Sequence, residues 1–216
     1  MLSKNSFIIS NWIMSKIKYY RYWWFIPALI IFSYTCVYHR MTHLSNEELA
    51  WVNVYQEGDT CFFESNLGGY DIMIVIKKSV RNSINPFNPN GISLGPDYHA
   101  SGCIEMDFIT RKWDYNSSLL ITKDIDTDSL SIHTRIDTRI SNDITPILKY
   151  FSINNNIYDD CIIVDDSNSY LQLLKRENPI KSFIWSKSKG LLQYTLEDGE
   201  TFQLTNVKKK AKERFF

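Results

Sequence analysis

Glycine and proline are scarce in this sequence, with only 8 Gly and 6 Pro among 216 residues. This scarcity excludes collagen-like and low-complexity chains, which contain far more of both. Hydrophobic residues make up 44% of the chain and aromatic residues 14%, which is enough apolar surface to offset the entropy lost on folding. We therefore predict a packed core in one domain with an appended segment.

The chain also lacks several short motifs that are typical of catalytic and cofactor sites. It contains no Walker A, G-x-G-x-x-G or H-E-x-x-H sequence. Asp124, Asp126 and Asp128 have the spacing of the first three ligands in a calcium loop. However, Ser129 replaces the required glycine, and Arg135 replaces the final glutamate. We expect a solvated turn there, and the sequence predicts no catalytic, cofactor-binding or metal-binding residue and no cofactor.

Two pairs of neighbouring carboxylates, Asp159–Asp160 and Asp165–Asp166, flank a predicted strand. Neighbours on a strand point to opposite faces, so neither pair suits acid and base catalysis by two converging carboxylates. We predict that both pairs are turn residues.

Charge is balanced overall but divided along the chain. Residues 1–43 have five basic side chains and no acidic one, and residues 208–216 have five basic side chains and one acidic. The body between them, 44–207, has 14 basic against 23 acidic residues, a net charge of −9. Such a body repels nucleic acid, so nucleic acid is not an expected partner. The basic tail, 208–216, is predicted to be a solvated terminus without a partner.

The first 38 residues are typical of export and membrane anchoring. Residues 1–21 form a basic region, and residues 22–38 contain no charge, with 11 strictly apolar residues at 22–32. This length lies between the apolar region of a cleaved signal peptide, about 7–15 residues, and a transmembrane helix of about 20. Either interpretation makes the lipid bilayer a partner, keeps the basic side in the cytoplasm and places the body outside it.

Cys36 is the candidate lipidation site. Bacterial lipoprotein signal peptides end in an aliphatic residue, small residues and the cysteine that is acylated, and Phe32 to Cys36 match this pattern loosely. Tyr34 and Thr35 are bulkier than the residues that a signal peptidase prefers. Two alternatives therefore stand: a lipoprotein cleaved before Cys36, and an uncleaved single-pass anchor.

Three further cysteines, Cys61, Cys103 and Cys161, are widely spaced and belong to no metal or redox motif. Because two of them begin apolar strand-like runs, we interpret them as small buried residues with free thiols. The alternative is one disulfide that leaves the third thiol free.

The body has the pattern of an all-β domain. Ser45 followed by Glu48 predicts a capping box for one or two helical turns, and residues 143–152 predict one short helix with Pro146 in its first turn. Short β-branched and aromatic runs, separated by turn residues, predict eleven strands. These are Ala50–Tyr55, Thr60–Glu64, Tyr70–Lys78, Gly102–Thr110, Ser118–Thr122, Ser129–Ile136, Tyr158–Val164, Ser169–Leu174, Ser182–Trp185, Gly190–Leu196 and Thr201–Leu204.

The absence of long helical intervals excludes a βαβ plan. The expected fold is mainly β: an N-terminal membrane or signal helix, then an antiparallel meander that closes into a sandwich or barrel-like domain. The last two strands flank Asp198–Gly199, which predicts a tight hairpin with Phe202 and Leu204 on the core side.

The basic start, the short apolar stretch and Cys36, together with the C-terminal run from Phe183 to Glu200, resemble the small uncharacterised envelope lipoproteins of Bacteroides-like bacteria. The resemblance covers the anchor and the final hairpin only. It implies a location in the cell envelope, periplasm or outer membrane, and no known activity.

Two functions are consistent with these features. The first is a binding or structural domain of the envelope with a concave aromatic surface, whose ligand is an envelope protein or a glycan. The alternative is an envelope enzyme, hydrolase-like, whose site is assembled from distant residues. It requires that at least two of His99, Glu105, Asp107 and His133 converge in one pocket.

Overall fold

The structure is a computed structural model that describes residues 25–29, 40–82, 97–109, 117–153, 156–171 and 177–210. The chain divides into two compact units, Met1–Arg40 with Ser93–Asp97, and Met41–Ile92 with Tyr98–Phe216. In the first unit, residues 25–29 are helical and exposed. The rest of the predicted anchor 22–38, including Cys36, lies outside the described residues.

Within the described ranges, no helix has both the length and the hydropathy required to cross a bilayer.

The second unit is mainly β, as predicted, and strands account for 59% of the structure. Its one regular helix, among the residues described, is α1, Asn46–Asn53. The strands are β1 Arg40–Met41, β2 Thr60–Ser65, β3 Tyr70–Arg81, β4 Asp97–Tyr98, β5 Ser101–Phe108, β6 Ser117–Lys123, β7 Leu130–Ile136, β8 Arg139–Ile144, β9 Lys149–Ile153, β10 Asn156–Val164, β11 Tyr170–Leu171, β12 Ile180–Ser186, β13 Gly190–Leu196 and β14 Thr201–Lys208.

Twelve of these strands form one curled antiparallel sheet in the order β11-β8-β7-β6-β5-β3-β2-β14-β13-β12-β10-β9, while β1 pairs with β4. Most neighbours in the sheet are hairpins of consecutive strands, as expected for a meander. The exception that organises the sheet is β14, which pairs with β2 and joins the two ends of the body. The predicted antiparallel architecture is therefore confirmed.

Side-chain alternation explains which face of the sheet is buried. In β5, Ile104, Met106 and Phe108 are fully buried, and the residues between them are only half-buried. The same alternation continues in β6 and β7, so the buried positions share one face of the sheet, which is mainly apolar but includes Ser117 and Thr134. This inner face contains a cluster of rings in which Tyr194 stacks on Phe202, with ring centroids 4.9 Å apart.

The segment Ala50–Tyr55, predicted as a strand, belongs instead to helix α1 and the turn after it. The predicted capping box is present and fixes the start of the helix, since Ser45 Oγ accepts from the backbone N–H of Glu48 at 3.1 Å. Trp51 is buried in the core cluster with Tyr55, which follows the helix. Burial of these large side chains thus outweighs the strand propensity of the local sequence.

The short helix predicted at 143–152 is also absent. β8 ends at Ile144, and β9, Lys149–Ile153, is a strand. Phe151 and Ile153 lie on one face of β9 with period two and pack into a second, smaller cluster on the outer face of the sheet. β8 was not predicted, because its polar residues conceal a strand that is stabilised by pairing with β7.

Arg139 holds the curl of the sheet. Its side chain is fully buried on β8, and its Nε donates to the carbonyl of Ile180 on β12 at 2.9 Å, although seven strands lie between β8 and β12 in the sheet. One terminal nitrogen donates to Ser169 at 2.8 Å, and the other to Asp166 at 2.8 Å. The planar fork of arginine reaches these three partners together.

The basic tail begins as part of the body. Lys208 ends β14, and Lys209 Nζ lies 2.9 Å from the carboxylate of Asp59, which is 1% exposed. The same ammonium donates to the carbonyl of Val54, at the end of α1, at 2.7 Å. Burial alone would raise the pKa of Asp59, but the hydrogen bonds from Lys209 and from backbone N–H groups hold it below its usual range. Residues 208–210 of the predicted solvated tail are therefore exposed, yet these bonds hold them to the body; residues 211–216 lie outside the described part.

We predict that Arg139→Lys lowers the free energy of unfolding by about 2–3 kcal/mol, because an ammonium loses part of a fork of charged hydrogen bonds. Urea denaturation of the full-length chain measures this change. Arg81→Lys, at an exposed position on β3, is the matched control. Equal midpoints for the two variants would contradict the role given to Arg139.

We predict that Lys209→Gln costs about 1–2 kcal/mol at pH 7, whereas Lys208→Gln, with the same net charge, costs almost nothing. Because the pKa of Asp59 is lowered by folding, the stability from this pair is present above the unfolded pKa and is lost as the pH falls through the folded one. The difference between the two variants should therefore shrink below about pH 4. A difference that is independent of pH would show that the pair contributes nothing.

Candidate binding groove

The four residues proposed for an enzymatic site are not brought together. Glu105 pairs with Lys77 at 3.7 Å. His133 Nε2 lies 3.4 Å from Asp143, and His99 Nδ1 lies 3.2 Å from the carbonyl of Lys123. These partners are all different.

The strand registers explain this separation. Glu105 lies opposite Ser118 of β6, which lies opposite Arg135 of β7, so β5 and β7 are about 10 Å apart across β6. Asp107, two residues further along β5, is half-buried and at the far end from His99. Across the described ranges, no contact joins any two of these four side chains. They therefore do not form the shared pocket that the enzyme alternative requires.

The turn with three aspartates is built around its own first carboxylate. Asp124 Oδ1 accepts from the backbone N–H of Asp126 at 3.0 Å and from that of Thr127 at 2.7 Å, and these bonds lower the pKa of Asp124. The predicted turn is thus confirmed. Among the described residues, no group of three His, Cys, Asp or Glu side chains is placed to hold a metal ion.

Asp159 and Asp160 lie within β10 at a bulge, not in a turn as predicted. Asp160 accepts from Ser186 Oγ and from the backbone N–H of Ser188, both at 2.7 Å, and so fixes the β12–β13 hairpin. Burial alone would raise the pKa of Asp160. The hydrogen bonds from Ser188 and Ser186 outweigh this effect, so the pKa lies below its usual value. Asp165 and Asp166 do lie at the turn after β10, as predicted.

The cysteines at 61, 103 and 161 are free thiols, as predicted. They lie on β2, β5 and β10, and no two of them are paired in register. Burial raises the pKa of Cys61 and of Cys161 to about 11. Cys103 is half-buried, and burial also raises its pKa.

An open groove of about 410 Å³ lies on the outer face of the sheet, where β2 pairs with β14. We call it the polar groove. Its lining residues are Glu64, Ser65, Asn66, Thr201, Gln203 and Thr205. All six are polar, and the only charged one is Glu64.

The strand registers place four outward-facing side chains in one line across the groove. Tyr70 of β3 lies opposite Glu64 of β2, Glu64 opposite Gln203 of β14, and Gln203 opposite Gln193 of β13. We call this line the polar row. Residues directly opposite on antiparallel strands point to the same face, and neighbouring strands are about 4.8 Å apart, so the row is about 14 Å long.

Hydrogen bonds within the sheet hold the walls of the groove in place. Asn66 and Thr201 exchange two bonds, from the Asn66 N–H to the Thr201 carbonyl at 3.0 Å and from the Thr201 N–H to Asn66 Oδ1 at 2.9 Å. Ser65 Oγ accepts from the N–H of Gly69 at 2.8 Å and ties the β2–β3 turn to the groove. Gln203 Nε2 donates to Gln193 Oε1 at 3.1 Å.

One end of the row is apolar and open. The side chain of Tyr70 is 69% exposed, and Leu67, in the β2–β3 turn, is 74% exposed. Together with the amides, hydroxyls and carboxylate beside them, they offer a ligand both hydrogen-bonding groups and an aromatic surface. This groove is not the concave aromatic surface that the sequence predicts. The aromatic rings on the inner face of the sheet are buried in the core.

Local sequence patterns predict only part of this site. The alternation in Thr201–Leu204 placed Gln203 and Thr201 on the solvent side of a hairpin, and the structure confirms this because Phe202 is buried. The pairing of β14 with β2, which brings Gln203 beside Glu64, joins residues far apart in the sequence, and no local pattern indicates it.

Comparison of the chain with protein-family models, curated proteins and solved structures gave no match.

We predict an order of thiol reactivity in the folded full-length chain. Iodoacetamide at about pH 8 should alkylate Cys103 well before Cys61 and Cys161, because the latter two are inaccessible and their thiolates are rare at that pH. Peptide mass spectrometry over a time course measures the order, and labelling in urea is the control in which all three react. Rapid labelling of Cys61 in the folded chain would contradict the structure.

Proposed function

We propose that this protein is a membrane-tethered binding domain whose barrel-like sheet presents the polar groove outside the cytoplasm. The observation that carries the proposal is the groove itself: an open recess whose side chains come from adjacent strands and whose walls are held by hydrogen bonds. A rigid sheet with such a recess is a suitable framework for a binding site, because little order must be gained when a ligand binds.

The tether is inferred from the sequence. The basic region 1–21 and the uncharged segment 22–38 support an anchor with the body 44–207 on the far side of the membrane, in the periplasm or at the outer membrane. Both forms of anchor stay open: a lipoprotein acylated at Cys36, and a single-pass helix.

Within the body, the polar row lies far from the point at which the chain enters. The chain enters the body near Leu44, whose N–H donates to Asn82 Oδ1 at 2.6 Å and whose carbonyl accepts from Asn82 Nδ2 at 2.8 Å. Asn82 directly follows β3, and Tyr70 begins it. A strand of this length extends about 35 Å, so the polar row lies at the end of β3 opposite the entry of the chain.

We predict that intact-protein mass spectrometry of the membrane fraction identifies the anchor. If Cys36 is acylated, the mature chain begins at Cys36 with added acyl mass, and Cys36→Ala abolishes this species. If the anchor is a single-pass helix, the full-length mass is found and the substitution leaves the membrane fraction unchanged. Cys103→Ala is the control that should alter neither. Recovery of the wild-type chain from the soluble fraction alone would overturn the tether.

A further inference from the structure

We infer that the polar groove takes a neutral saccharide. This inference rests on the proposed function of the groove as a binding site and assigns the chemical class of its ligand. It is drawn from the order of side chains along the polar row, which places an aromatic ring, a carboxylate and two amides side by side on one exposed face.

The polar side chains of the row match the hydrogen-bonding character of sugar hydroxyls. A hydroxyl both donates and accepts, so a sugar needs a surface that offers both kinds of partner. The carboxylate of Glu64 is exposed and accepts from two neighbouring hydroxyls at once. Gln203 uses one N–H on Gln193, which leaves its carbonyl oxygen and its second N–H for a ligand.

Tyr70 supplies an aromatic surface on which the apolar face of a sugar ring packs. The C–H groups on one face of a sugar ring form an apolar patch, which is buried by packing on an aromatic ring. Tyr70 is 69% exposed and lies directly opposite Glu64, so a ring that packs on it keeps its hydroxyls within reach of the carboxylate. The length of the row, about 14 Å, accommodates a short oligosaccharide lying across the strands.

The electrostatics of the groove favour a neutral ligand over an anionic one. Glu64 is negative, and the other five lining residues are uncharged. The body that surrounds them has a net charge of −9. A phosphate or a uronate would be repelled at this surface, because no lining side chain supplies a compensating positive charge.

The walls of the groove are formed before a ligand arrives. The reciprocal bonds between Asn66 and Thr201 lock the β2–β3 turn to the start of β14, and Thr205 Oγ donates to the carbonyl of Phe62 at 3.0 Å across the bulge in β14. The weak individual contacts that a saccharide makes are sufficient only where the protein loses little freedom on binding.

The test uses the full-length protein in lipid nanodiscs and an array of neutral and uronate-containing oligosaccharides, with saturation-transfer NMR on those bound. We expect neutral oligosaccharides to bind, and Tyr70→Ala and Glu64→Gln each to weaken binding by about tenfold or more. Tyr150→Ala is the matched control, since Tyr150 is an exposed tyrosine on β9, outside the groove. Thermal unfolding of each variant shows that it is folded.

Tetralysine serves as a second probe. It distinguishes failure of the saccharide assignment from failure of the groove as a binding site. If tetralysine binds, no neutral oligosaccharide does, and Glu64→Gln abolishes the binding, the groove is a binding site but the saccharide assignment is overturned. The assignment is also overturned if uronates bind more tightly than neutral sugars, or if Tyr150→Ala weakens binding as much as Tyr70→Ala. If folded wild-type protein binds neither probe, both the assignment and the proposed binding function fail.

Discussion

A single sheet with one apolar face has no second layer against which to bury that face, and this constraint shapes the whole body. Twelve strands curl into a half-barrel around the inner face, and helix α1 packs Trp51 into the core. The curl requires an interaction between parts of the sheet that are not neighbours. Buried Arg139 provides it by joining β8 to β12 with a charged hydrogen bond. The curl of the sheet is therefore supported by a charged side chain that is buried in the core.

The same constraint explains why the candidate site is on the outer face. The aromatic side chains of the inner face are used for stability, and Tyr194 contacts both Phe202 and Phe108 there. Only the outward-facing positions of each strand are available to a ligand. Where β2, β14 and β13 pair, those positions are Glu64, Gln203 and Gln193, and their registers convert three separate polar residues into a continuous surface.

The features that the sequence predicts correctly are those that depend on a few neighbouring residues. The capping box at Ser45 and the tight turn at Gly199, where φ is +92°, were both predicted from a few neighbouring residues. Ala50–Tyr55 was mistaken for a strand because its aromatic and β-branched residues have strand propensity, whereas burial against the sheet decided its conformation. The contact of Arg139 with Ile180 and the polar row depend on which strands pair, and such pairing is non-local. Sequence patterns therefore located the strands but did not assemble the site.

The pairing of β2 with β14 has a consequence for when this chain can acquire its structure. β2 begins at Thr60 and β14 ends at Lys208, so the centre of the sheet is completed only after all the strands between them have been made. Loop closure of this size is entropically unfavourable and makes folding slow compared with that of helical domains. A chain emerging from the ribosome with its N-terminus first holds unpaired strand edges until the last strand appears. During this interval the unpaired edges expose the chain to aggregation and to proteases.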